Sequence, residues 1–353
     1  MDDASAIRAN LLRWFEREAR DLPWRRTSDP YRIWLSEVIL QQTRVDQGVP
    51  YYERCLDAFP TVEELAVAPL DKVLKLWEGL GYYTRARNLH AAAQRVTNEH
   101  HGKMPPRAEL LQLLPGVGRY TAAAVASIAY GEHTAVVDGN VKRVLSRLYN
   151  IEECIDDTAT EHRLWELANQ LLPRKRPGDF NQAMMELGAR VCVPRTPDCG
   201  ACPVAGQCAA HRAGVAALRP VRKAKAAPKQ KELLTALVRK GDLYLLLRRP
   251  DEGLLGGLWE FPSFELTKAA DAGGYIEKAC QDELGIVVKA GGLAANVRHA
   301  YTHFRVSITA YACRHVSSEP VPANHVEWAW VPLDVLTDYA LHKSQHKLIE
   351  ALR

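Results

Sequence analysis

The sequence lacks any apolar stretch long enough to cross a membrane. Its longest nearly apolar run, Thr121 to Tyr130, falls far short of the roughly 20 residues that a membrane-spanning helix needs. The first residues also lack a cationic segment followed by an apolar one, so we expect no signal peptide. Both absences predict a cytosolic protein.

The chain also has little excess charge of either sign, and it has no internal repeat or long low-complexity segment. Its 353 residues include 46 Lys and Arg against 42 Asp and Glu, which gives a net charge of +4 and a pI near 8.5. This weak basicity permits nucleic acid as a partner without arguing for it, because DNA-binding domains often exceed a pI of about 9. Hydrophobic residues make up 47% and charged residues 25%, which excludes a mainly disordered chain. The length predicts two or three domains.

The residue pattern changes near residue 209. Before that point, apolar residues recur at helical spacing, and glycines and prolines mark the ends of helices. The stretch 209–231 contains seven Lys and Arg and no acid, which is typical of a linker that either lies along an anionic partner or is simply solvated. Alternating apolar residues after 232, with a helical pattern at 273–284, predict an α+β fold. We therefore expect a mainly α-helical domain over 1–211, a basic linker over 212–231 and an α+β domain over 232–353.

Eight cysteines are present, and four of them lie in one short segment. The clustered residues are Cys192, Cys199, Cys202 and Cys208, with the spacing C-x6-C-x2-C-x5-C. Zinc sites with four cysteines usually use two C-x2-C-type pairs, and only one such pair occurs here. A [4Fe–4S] cluster therefore fits the spacing better than zinc or a set of unligated thiols. The scattered cysteines are expected to be buried free thiols, because disulfides are rare in the cytosol. They are Cys55, Cys154, Cys280 and Cys313.

The segment LPGVG, residues 114–118, lies between two helical patterns. Gly116 and Gly118 permit backbone conformations that are closed to other residues, so the turn can aim N–H groups outward at the start of the second helix. Helix N-termini and such turns bind phosphate. The pattern is typical of a helix–hairpin–helix element that holds the DNA backbone, and an ordinary tight turn between helices is the alternative.

Two acidic residues are candidates for chemistry. Asp29-Pro30 predicts a helix start, and Glu37 then lies on a largely apolar helix face. Burial raises the pKa of such a carboxyl, which suits a general acid near neutral pH. The alternative is that Glu37 pairs with a buried arginine in a purely structural role. Asp138 precedes another helix as its N-cap, and a carboxylate held ionised there can also stabilise a positive charge that develops in a reaction.

Several motifs follow one another in the helical part. They are SEVILQQTRV, GLGYYTRARNL, LPGVGRYTAAAV, VVDGNVKRVL, NQAMMELGARVC and the four-cysteine loop. Together they resemble the helix–hairpin–helix DNA glycosylase superfamily with an iron–sulfur loop, over residues 5–210. Within it the chain is similar to the adenine-specific MutY family, because GLLGGLWEFP (253–262) is similar to the start of that family's Nudix-like recognition domain. The resemblance implies a helical glycosylase domain with a [4Fe–4S] loop at 192–208, and a Nudix-like domain over 232–353.

The resemblance implies a role for each acid. Glu37 matches the general acid that protonates adenine. Asp138 matches the carboxylate that stabilises the sugar cation, and Asn140 matches its polar partner. Tyr120 stands where bifunctional relatives carry a Schiff-base lysine, so efficient strand cleavage is not expected. The implied activity is that of a monofunctional DNA N-glycosylase, a hydrolase of base excision repair that leaves an abasic site.

The resemblance also implies the DNA contacts. Gln42 and Tyr82 match residues that wedge into the duplex while the base is flipped, and Gln182 and Arg25 match contacts to the flipped adenine. The turn 301–303 aligns with a Phe-Ser-His turn that senses oxidised guanine, with Tyr and Thr as departures. The complete set of expected DNA and substrate contacts is Arg25, Gln41, Gln42, Tyr82, Gly116, Gly118, Gln182, Thr302 and His303.

The implied partner is double-stranded DNA in which adenine lies opposite 8-oxoguanine or G. We expect a monomer with no membrane association, located at the nucleoid if the source is bacterial. Three rival interpretations are a Nudix hydrolase of oxidised nucleotides, a glycosylase of another specificity, and a redox-sensing DNA-binding protein. The hydrolase is disfavoured because Ala279 stands where a magnesium-binding carboxylate is needed.

Overall fold

The computed structural model describes residues 3–224, 227–265, 271–301 and 304–353. The described residues group into two compact units, one from 1–67 and 91–225 and the other from 68–90 and 226–353. Within these ranges, no helix is long and apolar enough to span a bilayer. The expected contacts Thr302 and His303 lie outside the described residues.

The part of the chain before residue 213 is helical, as the apolar periodicity predicts. Its α-helices are α1 (Asp3–Glu18), α2 (Pro30–Leu40), α3 (Val45–Ala58), α4 (Val62–Val67), α5 (Leu70–Leu76), α6 (Thr84–His100), α7 (Ala108–Leu111), α8 (Arg119–Tyr130), α9 (Gly139–Leu148), α10 (Thr158–Leu171), α11 (Pro177–Arg190) and α12 (Ala209–Arg212). Helix α2 begins where Asp29-Pro30 predicts it, because the Asp29 carboxylate accepts hydrogen bonds from the N–H groups of Tyr31 and Arg32.

Helix α8 is a central element of the first unit. Residues 122–126 of this helix are almost fully buried alanines and a valine, and their small side chains allow α2 and α11 to pack closely on it. Gly131 ends the helix in the left-handed conformation, with φ of 69°. The buried segment 135–137 then leads directly into α9 and packs in the core with α1, α10 and α11. Asp138 is therefore held where the core meets the N-terminus of α9.

The described part of the basic stretch after α12 packs on the first unit. Arg219 forms a salt bridge with Glu152 at 2.6 Å, and Lys223 forms one with Asp157 at 2.9 Å. The acids that meet residues 219–223 thus belong to the chain itself, so a simply solvated tether does not describe this segment.

The described part of the second unit contains a seven-stranded sheet. Its strands are β1 (Lys229–Lys240), β2 (Leu243–Arg248), β3 (Trp259–Glu260), β4 (Ser263–Glu265), β5 (Val287–Ala300), β6 (Phe304–Ser317) and β7 (Glu327–Pro332), with helices α13 (Ala272–Leu284) and α14 (Lys343–Leu352). The sheet order is β3-β2-β1-β6-β5, with β4 beside β1 and β7 beside β2, and β1 runs parallel to β6. Separate apolar clusters lie under α13 and α14. This architecture confirms the predicted α+β fold.

Residues 68–90, which include α5 and the start of α6, group with the second unit although they lie in the helical half of the sequence. Arg87 donates a hydrogen bond to the carbonyl of Gly256 at 2.6 Å, and Arg248 lies 3.5 Å from the carboxylate of Asp71. The grouping differs here from a linear division at residue 211, because helical periodicity does not reveal which neighbour a helix packs on.

Candidate active site

A cavity of about 690 Å3 lies in the first unit, at the meeting point of α2, α8, α11 and the N-terminus of α9. It brings together most of the side chains that the sequence singles out. Those lining it are Arg25, Glu37, Gln41, Gln42, Tyr120, Asp138, Asn140 and Gln182. They come from segments more than a hundred residues apart, so their convergence makes this cavity the candidate active site.

Glu37 is the buried acid of this cavity, with 7% of its surface exposed. The pKa of Glu37 is raised to about 7, mainly because of burial; the hydrogen bond from Tyr120 lowers this pKa, the nearby Asp138 raises it and the charge of Arg25 lowers it. Arg25 forms its salt bridge with Glu186 instead, at 2.9 Å. Among the described residues no arginine forms an ion pair with Glu37, so the alternative of a structural Glu–Arg tie is not supported.

Tyr120 connects α8 to this acid. Its hydroxyl donates a hydrogen bond to Oε2 of Glu37 at 2.5 Å and lies 3.1 Å from Sδ of Met185. Burial, followed by the charge of Glu37, raises the pKa of Tyr120 well above its usual value. The phenol therefore remains a hydrogen-bond donor and is not a nucleophile. Sequence reasoning missed Met185, whose only signal was its place in the NQAMMELG motif.

Asp138 is the N-cap of α9, as predicted. Its carboxylate accepts hydrogen bonds from the backbone N–H of Val141 at 2.7 Å and from Nδ2 of Asn140 at 2.9 Å. Burial raises the pKa of Asp138, while these hydrogen bonds oppose the rise. Asn140 is oriented in turn by Arg143, which donates to its Oδ1 at 2.8 Å. Asp138 is therefore fixed in place beside the cavity.

Glu186 anchors one wall of the cavity and was also missed from the sequence. It is almost fully buried, and Arg20 and Arg25 both donate to its carboxylate, at 2.7 and 2.9 Å. Although burial alone would raise its pKa, these hydrogen bonds lower the pKa of Glu186 to about 2. Arg25, an expected adenine contact, is thus held against α11 while it lines the cavity.

The predicted anion-binding turn joins α7 to α8. Gly116 has a φ of 70°, a conformation that favours glycine. Gly118 is the N-cap residue of α8; no side chain caps the helix there, and the space where a Cβ would stand is open. This geometry leaves room for a phosphate to approach the start of α8.

The two expected wedge residues have an unusual backbone. Gln42 has a φ of 59° and Tyr82 a φ of 50°, both in the left-handed region that non-glycine residues seldom adopt. Gln42 lines the cavity, and Gln41 beside it donates to Oγ1 of Thr121 at 3.2 Å. Tyr82 belongs to the second unit, in the turn before α6.

The four clustered cysteines surround a small cavity at the end of α9. Within the described ranges, no three metal-binding side chains converge closely enough for a single ion, so the thiols are spread around the space. The guanidinium of Arg147 is 1% exposed, pairs with no described carboxylate and lies 3.3 Å from Sγ of Cys192. A buried cation without a carboxylate suits a loop whose thiolates hold an iron–sulfur cluster, because such a cluster is anionic.

The described residue next to the expected guanine-sensing turn is Tyr301. Its hydroxyl lies 3.0 Å from Nδ1 of His342 and 3.2 Å from Oγ of Ser344, and its ring stacks on Phe304 at 4.6 Å. These contacts fix the position of Tyr301 immediately after the end of β5.

Three family models match the chain in order. The HhH-GPD superfamily of base excision DNA repair proteins matches residues 35–170, the iron–sulfur binding domain of endonuclease III matches 192–208, and the NUDIX domain matches 234–351. A solved thermostable thymine-DNA glycosylase is 30% identical, with a TM-score of 0.54, over 60% of this chain and 97% of that one. An endonuclease III–DNA complex, at 23% identity and a TM-score of 0.51, covers 61% of this chain and 99% of that one and supports the fold. The chain is thus a base-excision DNA glycosylase of the helix–hairpin–helix class, with a [4Fe–4S] cluster and a Nudix-like domain.

Curated relatives narrow the class. The adenine DNA glycosylase of Mus musculus is 40% identical over 92% of this chain and 75% of that protein. That of Rattus norvegicus is 37% identical over 98% of this chain and 78% of that protein, and that of Buchnera aphidicola from Schizaphis graminum is 29% identical over 97% of each. The chain belongs to the adenine DNA glycosylase family, and its activity is that of a DNA N-glycosylase of base excision repair. The family predicted from the motifs is confirmed.

Proposed function

We propose that this chain removes adenine mispaired with 8-oxoguanine, and also adenine opposite G, and leaves an abasic site without cutting the strand. The observation that carries the proposal is the buried carboxyl of Glu37, whose pKa of about 7 keeps a protonated acid available at neutral pH beside a cavity of about 690 Å3. A glycosylase needs such an acid because an unprotonated adenine is a poor leaving group.

In the proposed reaction, adenine is flipped out of the duplex into the cavity beside Gln182 and Arg25. Glu37 donates its proton to a ring nitrogen of adenine, the bond between C1′ and N9 breaks, and the bonding electron pair leaves with the base. Asp138 stabilises the cationic sugar through its charge. Water then adds its hydroxyl group to C1′, and the remaining proton returns to the carboxylate of Glu37.

Tyr120 supports the monofunctional outcome. An amine at this position could form an imine with the sugar and start strand cleavage, whereas a phenol cannot. The Tyr120 hydroxyl instead holds Oε2 of Glu37.

The four clustered cysteines would hold the [4Fe–4S] cluster, which when bound supplies a rigid scaffold for the loop 192–208. Gly116 and Gly118 would receive a phosphate of the DNA backbone.

We propose that Thr302 and His303 recognise the base opposite adenine. We also propose that Gln42 and Tyr82 insert into the duplex while adenine is flipped out. We also propose that the chain acts as a monomer.

The direct test is release of adenine from a duplex that contains a single A opposite 8-oxoguanine, with and without hot alkali. Duplexes with A·G, A·T, G·T and thymine glycol serve as comparisons. We expect strand breaks at the adenine only after alkali. Breaks at thymine in the G·T duplex, or alkali-independent breaks at thymine glycol, would overturn the proposal in favour of another glycosylase specificity.

The role of Glu37 is tested with Glu37→Gln and, as a matched control, Glu53→Gln on the exposed surface of α3. Loss of the general acid is expected to slow adenine release by about 100-fold or more, while DNA affinity stays within about twofold of the native chain. Glu53→Gln should keep both properties. Rapid adenine release by Glu37→Gln would contradict the role.

A further inference from the structure

The turn that carries Tyr82 is built tightly into residues 68–90. Gly79, Gly81 and Tyr82 all have positive φ, of 94°, 71° and 50°. Nε1 of the fully buried Trp77 donates to the carbonyl of Gly81 at 3.2 Å, and Arg85 donates to the same carbonyl at 3.2 Å. A turn with this backbone persists only when its surroundings hold it, so its position follows that of the residues it is tied to.

Glu78, immediately before this turn, connects it to the C-terminal part of the second unit. Its Oε1 accepts a hydrogen bond from the N–H of Leu341 at 2.9 Å and lies 2.6 Å from Nε2 of His346. Its Oε2 accepts from Lys75 at 2.6 Å. The side chain is only 18% exposed, and its hydrogen bonds, opposed by burial, keep the pKa of Glu78 below its usual value.

Lys75 extends the same connection. Its Nζ donates to the carbonyl of Thr337 at 2.6 Å and to the carbonyl of Tyr339 at 3.2 Å. These two carbonyls lie in the segment between β7 and α14, the same segment that contains Leu341. The side chains of Lys75 on α5 and of Glu78 just after it thus both hydrogen-bond to one segment of the Nudix-like fold.

We propose that Glu78 is a positioning residue that locks the Tyr82 turn to the Nudix-like fold, so that reading the base opposite adenine and inserting Tyr82 into the duplex occur as one movement. The inference rests on the proposed function, since it takes Tyr82 as a wedge and the C-terminal part as the reader. It adds a physical link between them. Preference for 8-oxoguanine over G then depends on contacts that touch neither base.

The test uses the full chain with Glu78→Gln, which keeps the size of the side chain and removes its charge. The matched control is Glu99→Gln, which breaks the exposed pair with Arg95 on α6. Single-turnover adenine release is measured on A·8-oxoguanine and A·G duplexes. We expect Glu78→Gln to slow release opposite 8-oxoguanine about tenfold and release opposite G less than twofold, while Glu99→Gln changes neither rate.

A second measurement reports on the wedge itself. A fluorescent base analogue next to 8-oxoguanine brightens when its stacking is disturbed, and this signal should fall in Glu78→Gln to the same level as in Tyr82→Leu. If Glu78→Gln lowers the thermal midpoint, Lys75→Met replaces it and should give the same loss of selectivity. Unchanged selectivity and unchanged fluorescence in a folded variant would overturn the inference. Absence of adenine release by the native chain would instead overturn the proposed function.

Discussion

At the scale of single residues, the site depends on a carboxyl that is kept from water. The unfolded chain exposes Glu37 with an ordinary pKa near 4.5, and burial raises its pKa to about 7 in the folded state. The folded protein therefore binds more protons than the unfolded chain between these two values. The stability that protonation contributes is fully present below about pH 4.5 and is lost as the pH rises through about 7.

This linkage predicts that Glu37→Gln, whose amide does not ionise, is more stable than the native chain at high pH. The difference in the free energy of unfolding should grow from near zero at pH 4.5 to about 3 kcal/mol at pH 8, since each pKa unit corresponds to about 1.4 kcal/mol. Denaturant unfolding across this range measures it. A difference that does not vary with pH would show that folding does not raise the pKa of Glu37.

The hydroxyl of Tyr120 acts on the pKa of Glu37 in the direction opposite to burial. Its hydrogen bond lowers the pKa of Glu37, so Tyr120→Phe should raise that pKa. Because the proposed reaction needs Glu37 in its protonated form, the fall in adenine release at high pH should move to higher pH. Single-turnover rates from pH 6 to 9 check this. Tyr130 lies on the same helix as Tyr120, and its hydroxyl donates to the carbonyl of Met104. Tyr130→Phe should leave the profile unchanged.

At the scale of elements, α11 carries two glycines in close contacts with different consequences. A Cβ at Gly188 would lie 2.6 Å from Cβ of Asn140, the partner of Asp138, whereas a Cβ at Gly178 would lie 2.5 Å from the carbonyl oxygen of Ser127 on α8. Both approaches leave no room for a methyl group. Gly188 therefore bears on the orientation of Asn140 and, through it, of Asp138, whereas Gly178 bears on packing alone.

Gly178→Ala and Gly188→Ala should each destabilise the fold by about 1–3 kcal/mol. Adenine release should fall clearly more in Gly188→Ala, because the displaced Asn140 no longer orients Asp138. Thermal unfolding and single-turnover rates on the same samples separate the two effects. Equal losses of activity in the two variants would contradict a specific role for the contact between Gly188 and Asn140.

The features that could be predicted from the sequence are those that depend on residues close together along the chain. The start of α2 at Asp29, the N-cap at Asp138 and the end of α13 at Gly285, with φ of 70°, depend on a few adjacent residues. The pairing of Arg20 with Glu186 joins residues 166 apart, and no local pattern marks it. The contact of Met185 with Tyr120 joins residues 65 apart, so these parts of the site also required the fold.

At the scale of the whole molecule, the chain passes between the two units more than once, at 67–68, at 90–91 and at 225–226. Helix α6 therefore begins in one unit and continues in the other. The last of these passages falls inside the basic stretch 212–231 that the composition marks as a linker. The first two lie inside a helical pattern without a break in composition, so the sequence offered no signal for them.

The segment that leads to the last passage, residues 216–219, is tied to the iron–sulfur loop through Arg147. Arg147 on α9 donates to the carbonyls of Val193 and Pro194 in that loop at 2.7 and 2.8 Å. It also donates to the carbonyls of Ala216 and Arg219 at 2.8 and 3.0 Å. One buried cation thus ties the loop 192–208 to the chain that leaves the first unit. We propose that thiolates of this loop, holding the cluster, match its charge.

Loss of the cluster should therefore leave this cation uncompensated. Cys202→Ser is expected to destabilise the first unit by about 3 kcal/mol or more, and Arg147→Met should cost less in the Cys202→Ser background than in the native chain, because the charge it removes has lost its partner. Amide hydrogen exchange along α9 in the two single variants and the double variant measures the coupling. Arg163→Met, which breaks an exposed pair with Glu153, should show no coupling with Cys202→Ser. Strictly additive costs for Arg147→Met and Cys202→Ser would mean that Arg147 holds the loop through its carbonyl contacts alone, without help from the charge of the cluster.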